Sequence, residues 1–299
     1  MKKQFIALAV TLAIASLANA QSTDTIAKVK ASGAVTMGVR DSSGALSSTL
    51  GDGKYTGYHV EICQAILANL EKTVGKKVAI TYQAVTSQNR IPLVQNGTVD
   101  IECGSTTNNA TRQKDVAFAY TTFVEEVRIA VKANSGITSI AQLSGKNVAT
   151  TTGTTSVQTL RKNERANGID FKEVYGKDHA ESFLLLESGR ADAFVMDGSI
   201  LAGNIAISKN PADFKIVGEV LSVEPIAIMM RKDDPAFKKL ADETIAGLAK
   251  SGALAKLYDK WFMQPIPPKN TKVGLAASDG IKAAWATPND KPMEDYAKK

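Results

Sequence analysis

Leu93-Val94-Gln95-Asn96-Gly97-Thr98-Val99-Asp100 and Leu185-Leu186-Glu187-Ser188-Gly189-Arg190-Ala191-Asp192 are two versions of one pattern. In each, an apolar pair closes a helix, a glycine stops it, an aspartate turns the chain, and an apolar strand begins. Glycine just past a helix end accepts the left-handed backbone that other residues resist, and aspartate suits the loop that follows. Such turns recur in any α/β protein. Here each lies within its own series of strand and helix patterns, so the echo predicts two lobes of similar design.

The flanking residues supply the rest of each series. Around the first copy, the spacing predicts a strand over 35–40, a polar loop over 41–53, and a helix from 58 to 70 ending near Gly75. A strand over 78–83, a helix over 87–95 and a strand over 99–103 follow. Around the second copy, strands are predicted over 148–150, 171–175 and 193–196, with helices opening at Gly153-Thr154-Thr155 and over 180–188. Further strands are read over 216–220 and 226–230. A helical stretch over 235–262, interrupted near Ser251-Gly252, ends at the proline-rich 265–268. In such α/β sheets a ligand binds beyond the carboxyl ends of the strands, and in a two-lobed protein between the lobes.

The N-terminus sets the compartment. Lys2 and Lys3, an apolar run over 5–17 and Ala18-Asn19-Ala20 make a secretory signal peptide, cut before Gln21. The run is too short to span a bilayer comfortably. Without Lys2 and Lys3 the formal charge of +6 falls to +4, and the basic residues are scattered rather than gathered beside aromatics. This argues against a nucleic-acid partner. Two cysteines, Cys63 and Cys103, suit one structural disulfide in an oxidising compartment, with free buried thiols the other reading. With only His59 and His179 beside them they make a poor metal site.

No nucleophile elbow, phosphate loop, zinc-protease helix or dinucleotide fingerprint occurs. The chemistry lies in polar clusters at strand ends. Ser105-Thr106-Thr107-Asn108-Asn109 follows an apolar strand and Arg112 opens the next segment, a combination of hydroxyls, backbone N–H groups and a guanidinium fork that suits a carboxylate. Thr154-Thr155 offers similar chemistry from the second lobe. Ser87 and Arg90 are expected on one face of a helix, His179 just before a helix, and Asp197 at a strand end where it could receive an ammonium group.

These runs carry a resemblance. Thr86-Ser87-Gln88-Asn89-Arg90-Ile91-Pro92-Leu93 and Glu102-Cys103-Gly104-Ser105-Thr106-Thr107-Asn108-Asn109 resemble the periplasmic glutamate/aspartate-binding proteins of ABC importers. So do Gly153-Thr154-Thr155-Ser156, Lys177-Asp178-His179, Arg231-Lys232-Asp233-Asp234-Pro235 and Pro265-Ile266-Pro267-Pro268-Lys269-Asn270. The wider group is the bacterial extracellular solute-binding proteins of the polar amino-acid type. The resemblance implies an α/β two-lobe periplasmic-binding fold of type II, with two hinge strands and a ligand cleft between lobes. The first lobe would comprise 21–126 and 226–299, and the second 127–225. It implies a periplasmic, monomeric binding protein without cofactor or metal, delivering L-glutamate or L-aspartate to a membrane permease.

By the same resemblance Arg112 clamps the ligand α-carboxylate beside Thr107 and Thr155, Asp197 and Ser105 receive the α-ammonium, and Arg40, Ser87, Arg90 and His179 grip the side-chain carboxylate. Relatives carry aromatics where this chain has Ala45-Leu46-Ser47-Ser48. Some place at Met229 the cysteine that pairs with the one matching Cys103; others have a cysteine at Cys63, so the implied pair is Cys63–Cys103. Two other readings compete. One is a secreted cyclohexadienyl dehydratase-like enzyme, whose general acid would have to be Glu102 or Glu181. The other is a feeder of a chemosensory receptor.

Overall fold

The computed structural model describes residues 24–296. The signal-peptide reading of residues 1–20 lies outside them. Two five-stranded sheets form the centres of two lobes. In the first, Ala79–Ala84, Ala34–Val39 and Ile101–Glu102 run parallel, followed by Met229–Arg231 and Val116–Phe118. In the second, Lys172–Gly176, Asn147–Thr151 and Ala193–Asp197 run parallel, followed by Phe123–Lys132 and Phe214–Ile226. Each sheet thus sets its second, first and third parallel strands side by side and then adds an antiparallel strand.

The sequence echo is reproduced bond for bond. Gly97 and Gly189 take φ of 74° and 76°. The Val99 N–H donates to Leu93 O and the Ala191 N–H to Leu185 O, each at 2.9 Å. Asp100 Oδ2 accepts from Thr36 N–H and Asp192 Oδ2 from Asn147 N–H, again at 2.9 Å. Each aspartate therefore ties the start of its lobe's third parallel strand to the first. The copies differ in depth: Asp100 is fully buried and paired with Lys28 and Arg231, whereas Asp192 is exposed.

Two long strands join the lobes. Phe123–Lys132 pairs antiparallel with Phe214–Ile226, and the register shifts between Val217 and Ser222. The ten-residue strand Phe123–Lys132 has no counterpart in the sequence-based pattern, and 216–220 proves to be part of one continuous thirteen-residue strand. The polar 41–53 segment is not a plain loop. It contributes to a three-stranded meander, Ser42–Ser43, Ser47–Gly51 and Lys54–Thr56. The helix expected over 87–95 begins only at Arg90, because residues 87–89 form a turn closed by the Thr86 and Asn89 side chains.

Tyr58–Val74 buries Ile62, Ile66 and Leu70 against the first sheet and ends on left-handed Gly75. Cys63 on this helix is disulfide-bonded to Cys103, with Cα atoms 6.2 Å apart. Among the described residues no helix is long and apolar enough to cross a membrane, and no cluster of metal-ligating side chains occurs.

Candidate functional site

The strands point their carboxyl ends at the seam between the lobes. There the chain concentrates charge that a protein interior normally excludes. All nine residues singled out in the sequence are buried, with Arg40 at 1 %, Arg90 at 2 % and Asp197 at 2 % exposure.

At one end of the seam, Arg40 directly follows strand Ala34–Val39 and its guanidinium reaches side chains of both lobes. Its Nη2 donates to Ser87 Oγ at 3.0 Å and to His179 Nε2 at 3.2 Å, and Nη1 lies 3.4 Å from Ser105 Oγ. Ser43 Oγ is 3.0 Å from the same Ser105 hydroxyl. A guanidinium can only donate, so Nε2 of His179 is the accepting nitrogen and the proton sits on Nδ1, 3.1 Å from Thr151 Oγ1. Thr151 Oγ1 is 2.8 Å from Ser182 Oγ, which donates on to Thr150 O. Burial first, then the charges of Arg40 and Arg90, hold the imidazole well below its usual pKa of 6.5. His179 is therefore a neutral acceptor that orients Arg40. Segment 45–48 supports the same group: Ser47 Oγ accepts from Arg40 N–H, while Ala45 and Leu46 sink into the core.

At the other end, Arg112 opens a short 3₁₀ turn and is held by backbone. Nη1 donates to Thr107 O at 2.9 Å and Nη2 to Gly153 O in the second lobe at 3.4 Å. Gly153 has φ +81°, and a Cβ there would come within 2.8 Å of the Gln88 backbone across the seam. The Thr107 and Thr155 hydroxyls, one from each lobe, are 3.2 Å apart. Burial lowers Arg40 and Arg112 to about 9, which leaves both cationic at neutral pH. Arg90 lies between the ends, also lowered by burial, with Nη1 on Ser105 O at 3.1 Å and Nε without a partner.

Asp197 ends strand Ala193–Asp197, and its Oδ1 is buried without a hydrogen-bond partner. Burial, then Glu125 and Glu224, raise its pKa well above 3.8 against the pull of Arg90 and Arg112. Neither glutamate was singled out in the sequence, because both sit on the hinge ribbon among apolar residues. Glu224 Oε2 accepts from Thr107 at 2.7 Å and Thr155 at 2.6 Å, so one carboxylate joins both lobes. Glu125 binds both the N–H and the hydroxyl of Ser199, next to Asp197, and burial pushes its carboxyl up to about 7. Their signal was acids embedded in the apolar runs Phe123-Val124-Glu125 and Glu224-Pro225-Ile226. Of the two general-acid candidates, Glu102 lies buried with Oε2 on the Thr106 hydroxyl, and Glu181 is exposed and accepts from Lys177 N–H.

Ser87 and Arg90 do meet the site, but from a turn and a helix start rather than from one helical face. The remaining candidates sit at element ends: Thr155 and His179 each begin a helix, and Ser105 and Thr107 follow strand Ile101–Glu102. The seam can thus accept two separated anionic groups at its guanidinium ends and a cation at Asp197.

Residues 35–264 match the model of the bacterial extracellular solute-binding proteins, family 3. The chain is 43% identical over 289 residues to a glutamate/aspartate import solute-binding protein of Escherichia coli, covering 96% of each. It is 44% identical over 275 residues to an L-glutamate/L-aspartate-binding protein of Pseudomonas aeruginosa, covering 91% of each. Among solved structures, a mutant arginine-binding protein of T. maritima superposes with a TM-score of 0.71 at 28% identity, over 80% of this chain and 99% of that one. An ancestral arginine-binding protein bound to glutamine superposes with a TM-score of 0.68 at 28% identity, over 77% and 98%.

Proposed function

The chain belongs to family 3 of the bacterial extracellular solute-binding proteins, and on that premise we propose that it captures L-glutamate or L-aspartate and hands it to the permease of an ABC importer. The observation that carries the reading is the seam itself: three buried guanidiniums, two of them gripping both lobes, around an aspartate with an unpartnered oxygen. An acidic amino acid brings two carboxylates and one ammonium, so Arg40, Arg90, Arg112 and Asp197 each gain an oppositely charged partner on binding.

Arg112, with Thr107 and Thr155, takes the α-carboxylate. Asp197, with Ser105, takes the ammonium. Arg40, Arg90 and Ser87 take the side-chain carboxylate, with His179 holding Arg40 in place. The ammonium favours the ionised form of Asp197 and so offsets the repulsion from Glu125 and Glu224. Closure about the ribbon, with lobes 21–126 plus 226–299 and 127–225, buries the ligand. In this reading the chain is exported by residues 1–20, works in the periplasm as a monomer, and binds without catalysis.

The test is equilibrium binding of the ligand-stripped mature chain to a panel of amino acids. L-glutamate and L-aspartate should bind in the micromolar range or tighter, about −8 kcal/mol or better. L-glutamine should bind at least tenfold more weakly. Equal affinity for the acids and the amide would contradict the assignment.

A further inference from the structure

The family match ends at residue 264, yet the chain continues and returns to the site. Helix Asp279–Ala286 packs Ile281 and Ala284 into the first-lobe core, and Trp285 Nε1 donates to Thr122 O at the base of the hinge. Residues 289–294 then run along the outer side of the loop that carries Thr107 and Arg112. Asn108, fully buried, donates through Nδ2 to Asp290 O at 2.9 Å, and its own carbonyl accepts from Met293 N–H at 2.9 Å. Ala110 N–H donates to Glu294 Oε2 at 3.0 Å, and Gln113 Nε2 donates to Asp290 O at 3.2 Å. Thr121 N–H donates to Asn289 O at 2.8 Å, and Lys238 pairs with the Asp290 carboxylate at 2.9 Å.

On its inner side the same loop meets the hinge ribbon: Asn108 N–H donates to Pro225 O, and Thr107 bridges to Ile226. Residues 107–112 belong to no strand, so these two flanks set where the Arg112 fork stands. A loop held from one side only samples more backbone states, and a clamp must hold its donors to fractions of an ångström.

We propose that residues 287–296 are a strap that positions the Arg112 carboxylate grip. A segment beyond the family-matched region thereby sets ligand affinity. The proposal rests on Arg112 taking the α-carboxylate, so its test separates the two ideas. A chain ending at Ala286 keeps the packed helix and loses the strap. The milder Glu294→Ala removes only the acceptor for Ala110 N–H, at an exposed side chain, and Glu294→Gln keeps an acceptor oxygen there.

Affinities for L-glutamate and for its α-amide are measured by displacement of radiolabelled L-glutamate, with melting curves to certify folding. In the wild type the acid must bind far more tightly than the α-amide; if it does not, the Arg112 reading fails before the strap is tested. With that satisfied, truncation should weaken glutamate about tenfold or more and leave the α-amide within about twofold, so that the ratio narrows. Glu294→Ala should weaken glutamate by about threefold, and Glu294→Gln should restore it. Loss of both ligands in equal proportion, or no change in either, would overturn the strap. If the truncated chain does not melt cooperatively, the Glu294 pair decides alone: no difference between Ala and Gln overturns the proposal.

Discussion

The two ends of the seam hold their arginines differently. Arg112 donates to the main-chain carbonyls of Thr107 and Gly153, whereas Arg40 donates to the side chains of Ser87 and His179. Main-chain acceptors survive almost any substitution, so the Arg112 end is fixed by the path of the chain. Side-chain acceptors are lost with one substitution, so the Arg40 end can be retuned within the same fold. That division matches a binding protein whose ligands share an α-carboxylate and differ at the side chain.

The sharpest way to break the comparison is at the fixed end. Arg112→Ala removes one of the two guanidiniums that pull on Asp197 and takes away the proposed grip on the α-carboxylate, and it should cost about 2–5 kcal/mol of binding for every amino acid that binds. Calorimetric titration reads this directly, and retained affinity would place the α-carboxylate elsewhere. The next effect concerns the acids between the ends. A carboxyl whose pKa is raised on folding stabilises the fold below its unfolded value and loses that contribution as pH rises through the folded value. For Glu125 the window runs from 4.5 to about 7. Compared with Glu125→Gln, the ligand-free wild type should therefore lose up to about 3 kcal/mol across that window. Parallel stability curves from denaturant titration at each pH would refute it.

At the retunable end, His179→Ala removes the Nε2 acceptor of Arg40 and should weaken binding by about 1.5–3 kcal/mol, while His179→Gln, which offers an amide oxygen, should recover part of it. Because the imidazole is held well below 6.5, the ratio of wild-type to His179→Gln affinity should be flat from pH 8 down through 6.5 and fall only on further acidification, when protonation removes the acceptor. A step in that ratio near 6.5 would mean that the ring is not held neutral. The smallest effect belongs to Gly153→Ala. Its left-handed backbone and the 2.8 Å approach to Gln88 should cost about 1–2 kcal/mol, seen as faster ligand release in stopped-flow traces.

How far the sequence could be read follows from the range of each signal. The two Leu-to-Asp turns are local, and the same hydrogen bonds recur in both lobes. The strand-end clusters at Ser105–Asn109 and Thr154–Thr155 were legible because several polar clusters coincide at the carboxyl ends of apolar strands. Ser87 reached the site by a turn that helical periodicity concealed. Glu125 and Glu224 were invisible for a different reason. Their partners, Ser199, Thr107 and Thr155, are distant in sequence, and an acid within a strand pattern normally signals a solvated face. The strand Phe123–Lys132 likewise owes its pairing to tertiary contact rather than to local pattern, whereas the meander over 42–56 pairs residues close in sequence whose polar, glycine-rich composition reads as a loop.

The central claim is that the two arginine ends read two different carboxylates of one ligand. A cycle of two proteins and two ligands tests it: wild type and Arg40→Ala, each titrated with L-glutamate and L-glutamine. Wild type should prefer glutamate by tenfold or more, and Arg40→Ala should bring the two ligands to within about threefold, mainly by weakening glutamate. If Arg40→Ala weakened both ligands by the same factor and left the preference intact, the side-chain carboxylate would not be read at Arg40 and the account would fail.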